Sequence, residues 1–168
     1  NVVLGVGPTD VIGQNGLQGS DGATADVHDN FVANNVYTPQ TYGSSGIILS
    51  DPGPVKVRNN VVVNNDFGIY ADHVTGGVIT GNRVSKSTYD GIDLLDGTTG
   101  TLVAGNDSGK NGLDGIFVDS TSTGNTVRDN TFKHNRLFDA EDQSHGAGTS
   151  GTANTYVNNK GKTSSPPG

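Results

Sequence analysis

The 168-residue chain has no cysteine and no methionine, 10 Lys and Arg against 17 Asp and Glu, and only 6 % aromatic residues. Without cysteine there is no disulfide framework and no thiol chemistry. Without methionine the chain lacks a natural start, which marks a processed form or an excised piece. No apolar run approaches the length that spans a bilayer, and no signal peptide is visible. The net charge of −7 disfavours nucleic acid and anionic membranes, which need a basic footprint. It also disfavours a strongly polyanionic substrate unless a metal bridges the two. Hydrophobic residues reach only 31 %, too few to fill an ordinary globular core and low enough to suggest disorder.

What is present argues against disorder. The string Val-x-x-Asn, or a near variant, recurs at Val27–Asn30, Val57–Asn60, Ile79–Asn82, Val103–Asn106 and Val127–Asn130, with a degenerate copy ending at Asn154. The steps are 30, 22, 24, 24 and 24 residues. Five residues after each asparagine comes a second polar residue: Asn35, Asn65, Ser87, Asn111, Asn135 and Asn159. A Gly-Ile pair follows at Gly46, Gly68, Gly91 and Gly115. Self-similarity at this period is the signature of a solenoid, whose turns cover one another and so need few apolar residues each.

The segments after each glycine alternate apolar and polar, as a strand with one buried face does. Two further short strands fit each repeat, and no 3.6-residue apolar period appears. Some 24 residues leave no room for a crossover helix, so each strand pairs in parallel with its equivalent one repeat on. The expected fold is an all-β, right-handed parallel β-helix of about six to seven coils and three parallel sheets. The ladder asparagines are expected to satisfy corner backbone groups, bond the asparagine above and below, and adopt left-handed backbone. The glycines are expected to serve the same sharp bends.

The domain is expected to cover 1–160, with a Tyr- and Pro-rich loop insertion at 36–45 and a C-terminal tail at 161–168. Asp139, Ala140, Glu141 and Asp142 replace the Gly-Ile pattern, so burial is expected to fail in the last repeat. The first dozen residues read as an incomplete coil without a capping helix. That end either continues into further chain or is covered by end-to-end or side-by-side self-association.

The strings VRNNVVVNNDFGIYADH, ITGNRVSKSTYDGIDLLDG and VRDNTFKHN resemble the parallel β-helix repeat proteins of the pectate-lyase-like superfamily. The resemblance runs over about residues 10–160. It is closest to the Asn-ladder subgroup, which includes carbohydrate-binding and sugar-hydrolase modules, periplasmic copper-processing β-helix proteins and alginate epimerases. It implies a secreted or cell-surface protein with a polysaccharide or glycan partner. It does not name the reaction, because one fold carries many functions.

Stacking the repeats places Gln18, Ile48, Tyr70, Asp93, Phe117 and Glu141 in one outward column. Ser20, Ser50, Asp72, Leu95, Asp119 and Gln143 form the next, and Asp21, Asp51, His73, Asp96, Ser120 and Ser144 line the adjoining corner. Carboxylates one or two rungs apart bracket the spacings of retaining and inverting glycoside hydrolysis. Asp93, Asp96, Asp72 and His73 are the candidate acid/base groups. Tyr70, Phe117, Asp119 and Glu141 are the candidate sugar contacts, walled by Tyr37 and Tyr42 of the loop. Asp90, Asp93 and Asp96 with His145 loosely match a hydrolase signature, and Tyr70-Ala71-Asp72-His73 an epimerase one. The alternative is a solvated acidic wall on a structural or adhesive β-helix segment. Asp93, Asp96 and Asp119, or Glu141 with Asp142, offer weak calcium sites. His28, His73, His134 and His145 fall on different corners and make no zinc or copper pattern.

Overall fold

Every strand of the chain finds its partner one coil away. The computed structural model describes residues 1–166. Three parallel sheets run the length of a right-handed β-helix. The first sheet stacks Val2–Leu4, Phe31–Ala33, Val61–Val63, Arg83–Ser85, Asp107–Gly109 and Thr131–Lys133. The second stacks Asn15–Ser20, Ser45–Ser50, Phe67–Asp72, Ile92–Leu95, Ile116–Val118, Ala140–Asp142 and Ser164–Ser165. The third stacks Ala25–His28, Val55–Arg58, Val78–Thr80, Leu102–Ala104, Thr126–Arg128 and Thr155–Val157.

Register turns sequence columns into core columns. Ile47, Ile69, Ile92 and Ile116 stack inside the second sheet, with Leu49, Ala71, Leu94 and Val118 beside them. Val57, Ile79, Val103 and Val127 stack inside the third. Val32, Val62, Val84 and Phe132 line the first, with Ser108 between the last two. Each coil thus contributes only a few apolar side chains, which reconciles the low hydrophobic content with a continuous buried core.

The first ladder runs unbroken. Nδ2 of Asn30, Asn60, Asn82, Asn106 and Asn130 each donates to Oδ1 of the next asparagine at 2.9–3.0 Å. The last acceptor is Asn159, not Asn154. The segment after Asp142 loops out, lengthens that step, and moves Asn154 onto a different corner, where its Oδ1 accepts the backbone N–H of Asn125. The ladder asparagines do not adopt left-handed backbone. The residues just before them do, among them Asp29, Asn59 and Asp129 for the first ladder and Asn34, Asn64, Lys86, Lys110 and His134 for the second. Gly91 likewise has no left-handed φ. Its requirement is closeness: a Cβ there would lie 2.5 Å from Nδ2 of Asn111 and 2.8 Å from the Gly115 carbonyl oxygen.

The second ladder breaks at Ser87. Asn35 donates to Asn65 at 2.8 Å and Asn111 to Asn135 at 3.0 Å. Between them, Nδ2 of Asn65 and Oγ of Ser87 are buried with no partner. Ser87→Asn restores the missing rung. We expect it to stabilise the fold by about 1 kcal/mol, raising the melting temperature by roughly 2–4 °C in a thermal scan.

The last coil closes itself with polar groups rather than failing to bury. Asp142 takes the inward place below Val118, and Tyr156 the one below Val127. The Asp142 carboxylate accepts from Ser144 N at 2.9 Å, Ser144 Oγ at 2.6 Å, Asn154 Nδ2 at 2.9 Å and the Tyr156 hydroxyl at 3.0 Å. A carboxylate with four donors is a tolerable end to an apolar stack. Within the segment 161–168, Ser164–Ser165 pairs in parallel with Ala140 and Glu141; Pro167 and Gly168 lie outside the described residues. At the opposite end, Val2, Leu4, Val6, Val11 and Ile12 are exposed.

Candidate functional site

The 36–45 insertion is anchored to the second sheet by one carboxylate. Oδ2 of Asp66 accepts from Tyr37 N at 2.7 Å and from Ser44 N at 3.0 Å, clamping both ends of the loop. Tyr37 and Tyr42 meet at 5.7 Å between ring centroids. Gly43 lies against the Phe67 ring. Phe67 in turn contacts Tyr70 edge-on at 5.2 Å and stacks on Tyr89 at 4.9 Å. An aromatic stripe therefore leads from the loop onto the outer face of the second sheet.

That face carries the outward column expected from the repeats. Tyr70, Asp93, Phe117 and Glu141 are consecutive neighbours across four strands. Asp93 is 1 % exposed although it points away from the core. Tyr70 and Phe117 flank it one rung to either side, and the Asp90 carboxyl closes on it from the preceding turn. Its Oδ2 meets no N–H or hydroxyl of the protein. Burial, then the neighbouring Asp90 charge, pushes the Asp93 carboxyl well above the ordinary range.

A second carboxyl pair lies on the adjoining rungs. Asp90 Oδ1 accepts the backbone N–H of Asp114 at 2.7 Å, and Asp114 Oδ1 accepts that of Phe138 at 2.7 Å. Asp114 also faces Glu141 at hydrogen-bonding range. Asp114 is 2 % exposed; burial, then Asp90 and Glu141, pushes it up to about 7 despite the Phe138 N–H. Burial raises Asp90 too, against the Asp114 N–H. Asp90–Asp93 and Asp114–Glu141 thus each hold a proton that a solvated carboxyl would have lost.

Of the residues singled out by sequence, Asp72, His73 and Asp96 converge at the corner, with ligating atoms all within 4.8 Å of one another. Asp93 stands apart from them, in the carboxyl–aromatic column. His73 and Asp96 share the left-handed corner conformation. The imidazole Nδ1 of His73 bonds Asp72 Oδ1, and this partner, then the nearby carboxylates, raises the His73 pKa. Asp119 sits beside the corner. Burial pushes its pKa up, but hydrogen bonds from Asp96 N, Ser122 and Thr121 outweigh that and leave it low. Burial, then Asp93, Asp72, Asp96 and Asp119, drives the Tyr70 phenol up to about 12. Among the described residues, the Asp72–His73–Asp96 trio is the one clustered metal-ligand set. The expected calcium groupings do not form one. Glu141 and Asp142 point to opposite faces of their strand, and Asp142 is spent on the core end. Asp93 turns to Asp90 rather than to Asp96.

Sequence reasoning gave no role to Asp114, Phe67 or Tyr89. The repeated Asp-Gly-Ile at Asp90 and Asp114, 24 residues apart, was the available signal for the buried carboxyl run.

A family model described as "Periplasmic copper-binding protein (NosD)" matches residues 4–165. The chain belongs to the NosD family. No curated protein and no solved structure matches it. The family's periplasmic description agrees with the secreted or cell-surface location expected from the sequence. Among the described residues, no helix is long and apolar enough to cross a membrane. As a NosD-family chain it raises the question of copper. It has no Cys or Met, so it offers no soft sulfur donor for Cu(I). One imidazole with two carboxylates fits a borderline divalent ion such as Cu(II) instead.

Proposed function

We propose that the outer face of the second sheet is a glycan-binding surface of an extracytoplasmic β-helix module. The observation that carries this reading is Asp93, an outward carboxyl enclosed between Tyr70 and Phe117. Aromatic rings beside fixed acceptors are what a pyranose requires: apolar C–H faces stack on the rings and hydroxyls reach the oxygens. Rungs repeat at about 4.8 Å, close to the advance of a glycan chain per sugar, so an extended oligosaccharide keeps step with the coils. Tyr37 and Tyr42 wall the upstream end, and Asp119 and Glu141 line the downstream end.

The same groups support processing of the bound chain by hydrolysis. The Asp114–Glu141 pair, protonated near neutrality, gives its proton to the glycosidic oxygen as that C–O bond breaks. Asp72 or Asp96 takes a proton from the water whose oxygen bonds to the anomeric carbon. His73 orients Asp72, and Asp93 fixes the ring between Tyr70 and Phe117. Calorimetric titration against a glycan panel tests the binding. Tyr70→Ala is expected to weaken it about tenfold. Binding left intact in both Tyr70→Ala and Phe117→Ala contradicts the assignment. A reducing-end assay tests the processing: Glu141→Gln should abolish turnover and keep binding, and no turnover by the unmodified chain reduces the face to a binding surface.

A second reading is favoured by the Asp72–His73–Asp96 trio and the family description. Asp72, His73 and Asp96 would hold a divalent copper ion at the corner, where it would act as a fixed positive charge. Titration with Cu(II) is expected to perturb the His73 ring signals and to raise the melting temperature, both effects vanishing in His73→Ala. Equal copper binding by that variant rejects the trio.

A further inference from the structure

The carboxylates of the first and third sheets are matched by cations. Asp26 pairs with Arg58 at 3.0 Å, Asp129 with Arg128 at 2.6 Å and Asp107 with Lys133 at 3.6 Å. The second sheet differs. None of its seven strands contains Lys or Arg. Asp72, Asp93, Asp119 and Glu141 project from it, with Asp90, Asp114 and Asp96 at its turns. Among the described residues, the one ion-pairing partner of any of these carboxylates is His73. An unbalanced acidic face is ordinary on its own. Here, though, Asp93 is buried in the middle of the face beside the Asp90 carboxyl with which it shares a proton, and its Oδ2 meets no N–H or hydroxyl of the protein. A buried acceptor without a donor is costly to keep. The donor that fits it comes from outside the chain, across a surface already furnished with two aromatic rings.

We propose that the glycan taken by this face is a cationic one, a polysaccharide bearing free primary amines such as a β-1,4-glucosamine chain. The inference rests on the glycan reading above and narrows it. Those ammonium groups of the chain that face the sheet meet Asp72, Asp96, Asp119 and Glu141 along the coils. The amine over the central rung supplies an N–H donor to the Asp90–Asp93 pair. Tyr70 and Phe117 add stacking and favour a positive charge near their faces. A uronate chain would bring like charge onto an acidic surface and be rejected.

Isothermal titration of the chain with a glucosamine hexamer, its N-acetylated counterpart and a hexagalacturonate with and without calcium separates the possibilities. The proposal predicts that the glucosamine hexamer binds at least about tenfold more tightly than the acetylated one, and that added salt weakens it. The double variant Asp72→Asn, Asp96→Asn should lose about tenfold for the amine hexamer only, with an unchanged melting temperature. Tyr70→Ala should weaken both hexamers alike. Equal binding of amine and acetylated hexamers, or calcium-dependent binding of hexagalacturonate alone, overturns the cationic assignment and leaves the glycan reading standing. Binding of none of the four overturns both.

Discussion

Asn106→Ala is expected to cost about 3–5 kcal/mol and to lower the melting temperature by roughly 10 °C or more. The single side chain serves both neighbouring coils. Its Oδ1 accepts from Asn82 N at 2.8 Å and Asn82 Nδ2 at 3.0 Å. Its Nδ2 donates to the Ile79 carbonyl at 2.9 Å and to Asn130 Oδ1 at 2.9 Å. Alanine leaves the Asn82 backbone N–H and one Nδ2 hydrogen of Asn82 buried without an acceptor, although that Nδ2 keeps the Val57 carbonyl, and leaving such groups unmade costs more than a typical bond contributes. Asp26→Ala, which removes an exposed ion pair with Arg58, should hardly move the transition. Equal destabilisation by the two variants would show that the ladder is not what fixes the corners.

The second large effect is a fall in stability as pH rises. An unfolded Asp ionises near 3.8, whereas folded Asp114 holds its proton to about 7 and Asp93 lies well above the ordinary value. Below pH 3.8 both states are protonated at these sites and the folded state has its full advantage. Between there and about 7 the unfolded chain sheds protons that the folded one keeps, so the advantage shrinks with each pH step; above about 7 Asp114 is ionised in both and its share of the loss is complete. Asp114 alone accounts for a change of at most about 4 kcal/mol, less to the extent that solvent screens it. The opposite slope, from the lowered Asp119, is confined to more acid solution. The melting temperature should therefore be higher at pH 5 than at pH 8. Asp114→Asn, which keeps the oxygen that receives the Phe138 N–H, should raise the value at pH 8 and flatten the profile. A profile that is flat, or rises from pH 5 to 8, contradicts the buried carboxyl pairs.

The winding was legible because parallel stacking makes sequence columns into neighbours. Once the 24-residue repeat aligned Tyr70, Asp93 and Phe117, no further information was needed to place them side by side. Four features were not legible, each for a physical reason. The terminal ladder rung shifted from Asn154 to Asn159 because a looped-out segment changed the step, and period alone does not say where a chain leaves its coil. The polar end of the core looked like lost burial because Asp142 and Tyr156 sit at inward places whose rule is apolar; only their mutual hydrogen bond explains them. The burial of Asp93 was hidden because its column marks it as outward. What encloses it are the aromatic rings on adjacent rungs and the carboxyl of Asp90, which belongs to a turn. Of the corner trio, His73 and Asp96 were visible as one column and Asp72 as its neighbour, but the left-handed backbone of His73 and Asp96 was assigned in the sequence to the asparagines instead.

The most direct measurement of the account is a chemical-shift map of the isotope-labelled chain during titration with the glucosamine hexamer. The account predicts perturbations centred on Tyr70, Asp93, Phe117 and Asp119, fading toward the first and third sheets. Perturbations confined to those other sheets, or none at saturating oligosaccharide, would contradict it.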